Sequence, residues 1–576
     1  MNKIMKSYIN KILTLLCVVL MLGITSCVGD LDLVPNDPNE LTADQFKEDP
    51  YEYLTAVMAK CYSSLAVSGQ DGLSGDSDLS GLDGASSQYT RTMFMLNEYP
   101  TDECNWIWAD EGVYELVVGT WGTSTSTVYG TYARLYVHIA VCNEFLRLVE
   151  ASNLADLEIS VDAELQAIID QYSLEVRALR ALSYYNVIDL FGNAGFIDET
   201  GEVGAYPVQT PRADLYAWLV SELKDLVATM PSTTPIYGYV GLDGVEALLA
   251  RTYLNGKVFA GVDNYAECQA SCQNIINRHT GGGYNGSGLA NHYMYLFCGT
   301  NDVYMPGGSN TAENEILWGV PFDSENTKSY GGATFLVAAG ITKLGESIDY
   351  APEVPYMNST DYGSLSAWGC MHATQQFSEK FEEEDIRWSM WCKAANGFSI
   401  ENTSFTTFTD GYGVVKFTNL IAGENGEWSV ANGGVWDPSG ETTAYATSYP
   451  NMDIPLLRLA DVYLMYAECN IVGGAGDAAT ALEYVNYIRG RAGVSLWSAS
   501  DMTADSILDE RCRELYWESV RRTDLVRFGK FTGSDYVWAW KANALEGGSI
   551  SSHRDIYPIP SNIIAVQPEF EQNDSY

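Results

Sequence analysis

Apolar residues keep a helical spacing in two blocks of this chain, and the long stretch between the blocks lacks it. From about Val128, the residues Leu135, Ile139, Cys142, Leu146 and Val149 follow one another at intervals of three or four, which lines one face of an α-helix. The same spacing predicts helices near 161–191, 212–229, 242–258 and 263–278, and again near 457–472, 476–491, 503–519 and 521–528. Helices that arrive in adjacent pairs with short links can stack into a solenoid of hairpins, each pair burying the apolar face of the next, although no strict period imposes that here. Residues 280–450 differ: they are rich in Gly, Thr and Tyr and broken by prolines, and only 372–393 reads as helical. Ser68–Ser87, rich in Gly, Ser and Asp, predicts a solvated loop. Binding sites tend to be built from irregular segments on a rigid frame, so function is expected in residues 60–125 and 280–450.

The first thirty residues set the compartment. Lys3, Lys6 and Lys11 precede an apolar run from Ile12 to Ile24, which suits a signal-peptide core and is short for a membrane span. Ser26 directly before Cys27 reads as a lipoprotein processing site, with residues 1–26 cleaved and Cys27 lipidated; the alternative is ordinary secretion with Cys27 incidental. No other apolar run reaches eighteen residues. Removing residues 1–26 takes three lysines and no acids, which moves the net charge from -43 to -46 over 550 residues. Such a charge repels phosphate backbones and anionic membrane surfaces, so nucleic acid is excluded as a partner and neutral ligands stay open. Length alone would predict several domains.

Candidate chemistry is sparse. Of twelve cysteines, Cys268 and Cys272 are the close pair, at i and i+4 of a predicted helix. His279 and His292 do not complete a familiar metal spacing, so buried free thiols are expected rather than zinc. His138, His279, His292, His372 and His553 form no metal or nucleophile motif, and His138 is expected to be interior. Four consecutive acids, Glu382–Asp385, read as a solvated helix face rather than glycosidase acids. Asp71, Asp76, Asp78 and Asp83 cluster without the spacing of a calcium-binding loop.

The C-terminal third carries motifs in a particular order. Asp453-Ile454-Pro455-Leu456-Leu457-Arg458-Leu459-Ala460-Asp461 continues to Tyr466-Ala467-Glu468, then Tyr487-Ile488-Arg489-Gly490-Arg491-Ala492-Gly493. Glu510-Arg511-Cys512-Arg513-Glu514-Leu515 leads to Arg521-Arg522-Thr523-Asp524-Leu525-Val526-Arg527-Phe528-Gly529, and Tyr557-Pro558-Ile559-Pro560 follows. Charged residues on otherwise apolar helices must be paired when buried, so Arg458, Glu468, Arg489, Arg491, Glu510, Arg513, Glu514, Asp524 and Arg527 are expected to pin helices together, with the carboxylates held ionised and not available as acids.

With Arg177-Ala178-Leu179-Arg180-Ala181 and Asp189-Leu190-Phe191-Gly192, these segments resemble the SusD/RagB family of surface glycan-binding lipoproteins. The resemblance implies a mainly α fold: a single domain of residues 27–576 with four tetratricopeptide-like helical hairpins and a large loop-rich ligand-binding region. Its N-terminal part would span about 27–250 and its C-terminal part about 280–576. It further implies no catalysis, an outer-membrane lipid anchor facing the cell exterior, and a partner transporter of the SusC-like, TonB-dependent type. The acidic Val28-Gly29-Asp30-Leu31-Asp32 resembles surface-export signals of Bacteroidetes lipoproteins.

The likeness is strongest to a starch-binding member of the family. Asn97-Glu98-Tyr99-Pro100-Thr101-Asp102-Glu103-Cys104-Asn105-Trp106-Ile107-Trp108 resembles its aromatic ligand segment, Ser329-Tyr330-Gly331-Gly332-Ala333-Thr334-Phe335 a second, and Trp368 falls in a third. By that likeness Trp108, Tyr330 and Trp368 form an arc for α-glucan oligosaccharides, with Trp106 alongside and Arg91 as a polar contact. Glu111 stands where the starch binder has an asparagine; a carboxylate accepts hydrogen bonds but donates none. No cofactor is implied, and the one metal left open is a structural calcium at Asp302 and neighbouring carbonyls. Three function classes follow: a binder of starch, or of another glycan, that feeds a transporter; a surface glycoside hydrolase; and a purely structural helical scaffold.

Overall fold

A computed structural model of the protein describes residues 43–69, 77–79, 82–108, 110–233, 236–302, 312–341, 359–387, 391–392, 413–420, 428–431, 435–438 and 447–576. The leader, Cys27, Asp71 and Asp76 lie outside them. After a short helix at Ala43–Glu48 come two longer ones, α1 (Pro50–Ala66) and α2 (Tyr89–Glu98). They are followed by α3 (Ser126–Leu148), α4 (Ala163–Phe191), α5 (Arg212–Thr229), α6 (Leu242–Leu254) and α7 (Tyr265–His279). After a loop-rich region carrying α8 (Gly332–Gly340) come α9 (Leu459–Ile471), α10 (Ala478–Ala492), α11 (Ala504–Leu515) and α12 (Arg521–Arg527).

The frame is four helical hairpins, α3/α4, α5/α6, α9/α10 and α11/α12, with α7 packed between α6 and α9. One cluster of buried apolar side chains runs from Phe46 to Phe570. Local chemistry sets the helix ends. Asp162 caps α4 by accepting from the backbone N–H groups of Glu164 and Leu165, and Asp477 caps α10 by accepting from Thr480. Gly493 closes α10 at φ 77°, a left-handed residue that glycine adopts without strain.

Expectation and structure part in the loop-rich region. Residues 372–393 are not one helix. Met371–Ala373 is a strand, Gln375–Ser378 a single turn capped by Thr374, and the chain then folds back through Asp385. The acids do not all share a solvated face either: Asp385 is buried against Arg387, while Glu382, Glu383 and Glu384 are exposed. A tight ion pair two residues apart holds a turn there, and the turn ends the helical pattern. Conversely, α2 and α8 carry no one-sided stripe in the sequence, while α1 carries one, Leu54, Met58, Cys61 and Leu65, that the expected helices leave out. Every residue of α2 and α8 is buried, so neither has a polar face to give it away.

An arginine and carboxylate seam joins the C-terminal helices. Arg458 donates to Glu315 (2.7 Å), Glu514 (3.1 Å) and Glu518 (2.7 Å), and Arg387 donates to Asp385, Glu510 and Glu514. Arg511 and Arg527 share Asp524, Arg527 also grips Glu468, and Arg489 and Arg513 both reach Glu510. Burial alone would push these acids up, yet the facing guanidinium groups hold Asp461, Glu510, Glu518 and Asp524 below their ordinary values. The seam is structural, as the residue pattern predicts. Cys268 and Cys272 are buried free thiols against Cys469. His138 is interior, bonded to Ser183 Oγ and Cys61 O, and burial brings it down to about 4.

Candidate functional site

A two-stranded pairing between segments far apart in the chain creates the cleft. β1 (Cys104–Trp106) runs antiparallel to the 371–373 strand, β3, with Trp106 opposite Met371 and Cys104 opposite Ala373; the intervening β2 (Ile316–Val320) pairs with β4 (Ile454–Arg458). Ile107 N extends the β1/β3 ladder by donating to Cys370 O. Trp108, two residues beyond β1, therefore meets Trp368, three residues before β3, at 6.1 Å between ring centroids and a 32° tilt. The end of α8 fixes the second tryptophan: Trp368 N donates to Ala338 O at 2.7 Å and Gly369 N to Ile341 O at 2.9 Å.

Tyr330 enters from the other end of α8. Gln88 caps α2 by accepting from Arg91 N, and the same oxygen accepts from Gly332 N, so one side chain sets the starts of both helices. The backbones meet so closely that a Cβ on Gly331 would lie 2.5 Å from Gln88 Cβ, and Gly332 has φ +54° with Phe322 in the space a side chain would need. Arg91, the third residue of α2, then donates to the Tyr330 carbonyl at 3.4 Å, with its guanidinium 4.7 Å above Phe335.

Trp108, Tyr330, Trp368, Arg91 and Glu111 line one cleft of about 440 Å³, together with Asp83 and Asp110. Trp108 is 38% exposed and Tyr330 36%, unusual for large aromatics in a chain with so many buried ones. Trp106 does not share that exposure. It is 1% exposed beneath Trp108, and its indole N–H donates to Asp110 Oδ2 at 2.8 Å, so it forms the floor and offers no face to a ligand. Glu111 is exposed, on a loop held to the start of α3 by Ser126 and Thr127, whose hydroxyls donate to Glu111 O and Gly112 O. Asp110 went unmarked by sequence reasoning, as did Tyr449, which packs on Tyr330 at 5.5 Å, and Asp83 stood out only as a member of an acidic loop cluster. Nothing in their sequence neighbourhoods distinguishes them from loop residues.

The cleft hangs on the frame by acid contacts. Asp102 binds Arg521 at 2.7 Å; burial opposes its charge, but Arg521 and Lys380 hold its carboxyl down to about 2. Glu103 accepts from Trp517 N and Glu98 from Val520 N. Glu98 and Glu103 are pushed up by burial, and Glu98 further by Glu103 beside it. Among the described residues no group of three or more His, Cys, Asp or Glu side chains is placed to hold a metal ion. Burial raises the carboxyls of Asp302 and Asp453, the latter to about 8. Asp78 is committed to Arg134.

Residues 246–576 match the model of the SusD family. The chain is also 31% identical to the starch-binding protein SusD of Bacteroides thetaiotaomicron, over 97% of this chain and 98% of that one. The chain belongs to the SusD family. A solved SusD superfamily protein from Parabacteroides distasonis shares the fold with a TM-score of 0.62 at 19% identity, covering 93% of this chain and all of that one. Surface glycan-binding protein A from Bacteroides thetaiotaomicron does so with a TM-score of 0.63 at 17% identity, covering 91% and 99%. Membership carries the non-catalytic reading with it, since the SusD family is one of glycan-binding proteins and not of enzymes. Among the described residues no helix is long and apolar enough to cross a membrane.

Proposed function

We propose that the chain is an outer-membrane lipoprotein, anchored through Cys27 and facing the cell exterior, that captures starch or related α-glucan oligosaccharides without cleaving them. It hands them to a SusC-like, TonB-dependent transporter. The observation that carries the ligand reading is the convergence of Trp108, Trp368 and Tyr330, with open faces, beside Arg91 and Glu111 in a single cleft. A pyranose ring has an apolar C–H face and a rim of hydroxyls, so a flat aromatic covers the face while charged groups satisfy the rim. The 32° tilt between Trp108 and Trp368 favours a bent chain such as an α-1,4-glucan over a flat β-1,4 chain. The starch-binding relative named above supports the same substrate class.

Stacking that removes about 100 Å² of apolar surface per ring contributes roughly 2.5 kcal/mol before losses, at about 25 cal/mol per Å². Titration calorimetry of the lipid-free protein against starch, dextran, pullulan, β-glucan and fructan panels tests the proposal. Starch-type glycans should bind, and Trp108→Ala or Trp368→Ala should weaken binding by about tenfold to a hundredfold. Equal affinity of both variants and the parent for the preferred glycan removes the cleft as its site; preference for a β-linked glycan removes the starch reading alone.

A further inference from the structure

Trp108 and Trp368 touch one another, but among the described residues neither makes a ring contact with Tyr330. The ring that packs on Tyr330 is Tyr449, with centroids 5.5 Å apart and planes inclined by 44°. We propose that Tyr330 and Tyr449 form a second aromatic pair, separate from the Trp108–Trp368 pair, and that the two pairs together make binding depend on glycan length. This inference rests on the glycan-binding reading of the cleft.

Tyr449 is held where such a pair needs it. Thr447 bridges Ser364, Leu365 N donates to Thr447 O at 2.9 Å, and Thr447 N donates to Gly363 O at 3.2 Å. Thr447, two residues before Tyr449, is thereby tied to the segment that leads into Trp368. Beyond it, Asn451 N donates to Asn419 Oδ1 and Asn451 Oδ1 accepts from Ser324 N, both at 2.8 Å. The chain is thus pinned on both sides of Tyr449, and its phenol is neither core nor fully solvated. Burial and the hydrogen bond to Tyr330 push the Tyr449 hydroxyl up to about 12, consistent with two phenols that stay neutral and brace each other. A platform whose orientation is fixed beforehand binds a sugar face without first losing rotamer freedom.

The two pairs differ in which ligands engage them. A short oligosaccharide seated on the tryptophan pair leaves the tyrosine pair empty, whereas a longer one covers both. Calorimetry with maltotriose and maltoheptaose on the parent, Tyr449→Ala, Tyr449→Phe and Tyr330→Ala reads this directly. Tyr449→Ala should weaken maltoheptaose binding by about three- to tenfold and change maltotriose binding by less than about twofold, while Tyr449→Phe, which keeps the ring, should restore most of the loss. Loss by the same factor at both lengths marks a general loosening of the cleft and overturns the proposal, as does parental affinity of Tyr449→Ala for both sugars. If Trp108→Ala and Tyr330→Ala also bind like the parent, the glycan reading of the cleft fails first.

Discussion

The arginine and carboxylate seam and the aromatic cleft solve opposite problems with unlike groups. In the seam, Arg387, Arg458 and Arg491 surround Glu514 with every one of those side chains nearly free of solvent, so each charge is used up by its neighbours. In the cleft, Trp108 and Tyr330 keep more than a third of their surface open and Glu111 has no cation beside it among the described residues. Satisfied groups have nothing left to offer a ligand. The comparison teaches that abundance of charge marks where this protein is held together, and exposed aromatic area marks where it binds.

Breaking the seam should give the largest effect. Glu514→Ala leaves three buried guanidinium groups short of a partner, and removing one member of a buried ion pair typically costs about 3–5 kcal/mol. Urea unfolding should show that loss, and glycan affinity of the fraction that remains folded should stay at the parental value. If Glu514→Ala abolished binding while the protein remained fully folded, the division between the two regions would not hold.

One buried carboxylate of the frame has no cation to hold it, and it sharpens the contrast. Glu98 Oε2 is buried with no donor, beside Glu103, at the end of α2, from which the chain runs into β1 and on to Trp108. Burial and Glu103 raise Glu98 well above 4.5, so the folded state holds a proton there that the unfolded chain releases. The acid form therefore favours folding, and stability from this pair is lost as pH climbs from the ordinary carboxylate range toward the raised value. The paired acids have the opposite sign: Asp102, Asp461 and Glu510 are depressed, and their contribution is lost as pH falls below the ordinary range. Glu98→Gln mimics the protonated form, keeping an acceptor for Val520 N and placing a donor toward Glu103. Relative to the parent it should gain about 1–3 kcal/mol at about pH 8 and little at about pH 5, read from denaturant midpoints at the two values. A gain that is the same at both would show that no proton is shared.

The seam was far more legible in the sequence than the cleft. Arginines and carboxylates placed on apolar helical stripes announce their own pairing, because a lone buried charge is not tolerated, and the stripes themselves predicted α3 to α7 and α9 to α12 to within a few residues at most ends. The cleft depends on contacts between residues far apart in the chain. Asn105 meets His372, and Gln88 meets Gly332, and no local pattern encodes either contact. The ligand segments around Trp108, Tyr330 and Trp368 were picked out by family likeness and not by spacing. That likeness could not separate the buried Trp106 from the exposed Trp108 two residues on, since Trp106 is the last residue of β1 and Trp108 lies beyond it, where the strand has ended. Tyr449 carried no mark because its place is set by the bridge from its neighbour Thr447 to Ser364.

The smallest effect tests the charge that the cleft leaves unpaired. Glu111 is exposed, and Asp83 and Asp110 line the same cleft, while its one cation, Arg91, is 6% exposed with its guanidinium turned over Phe335. Neutral sugars meet a carboxylate that water solvates equally well when they leave, so Glu111→Gln should hold maltoheptaose affinity within about twofold and leave the denaturation midpoint unchanged. A glucan oxidised to carry carboxylates meets three like charges instead. For that ligand the variant should bind about two- to fivefold more tightly than the parent at low ionic strength, and the difference should fade near 1 M salt, where the screening length is about 3 Å. Seam variants should show no such fading, because solvent ions do not reach a pair that is fully buried. A Glu111→Gln effect that survived high salt would mean that the carboxylate acts mainly by hydrogen bonds to the sugar that the amide does not replace, and not by its charge.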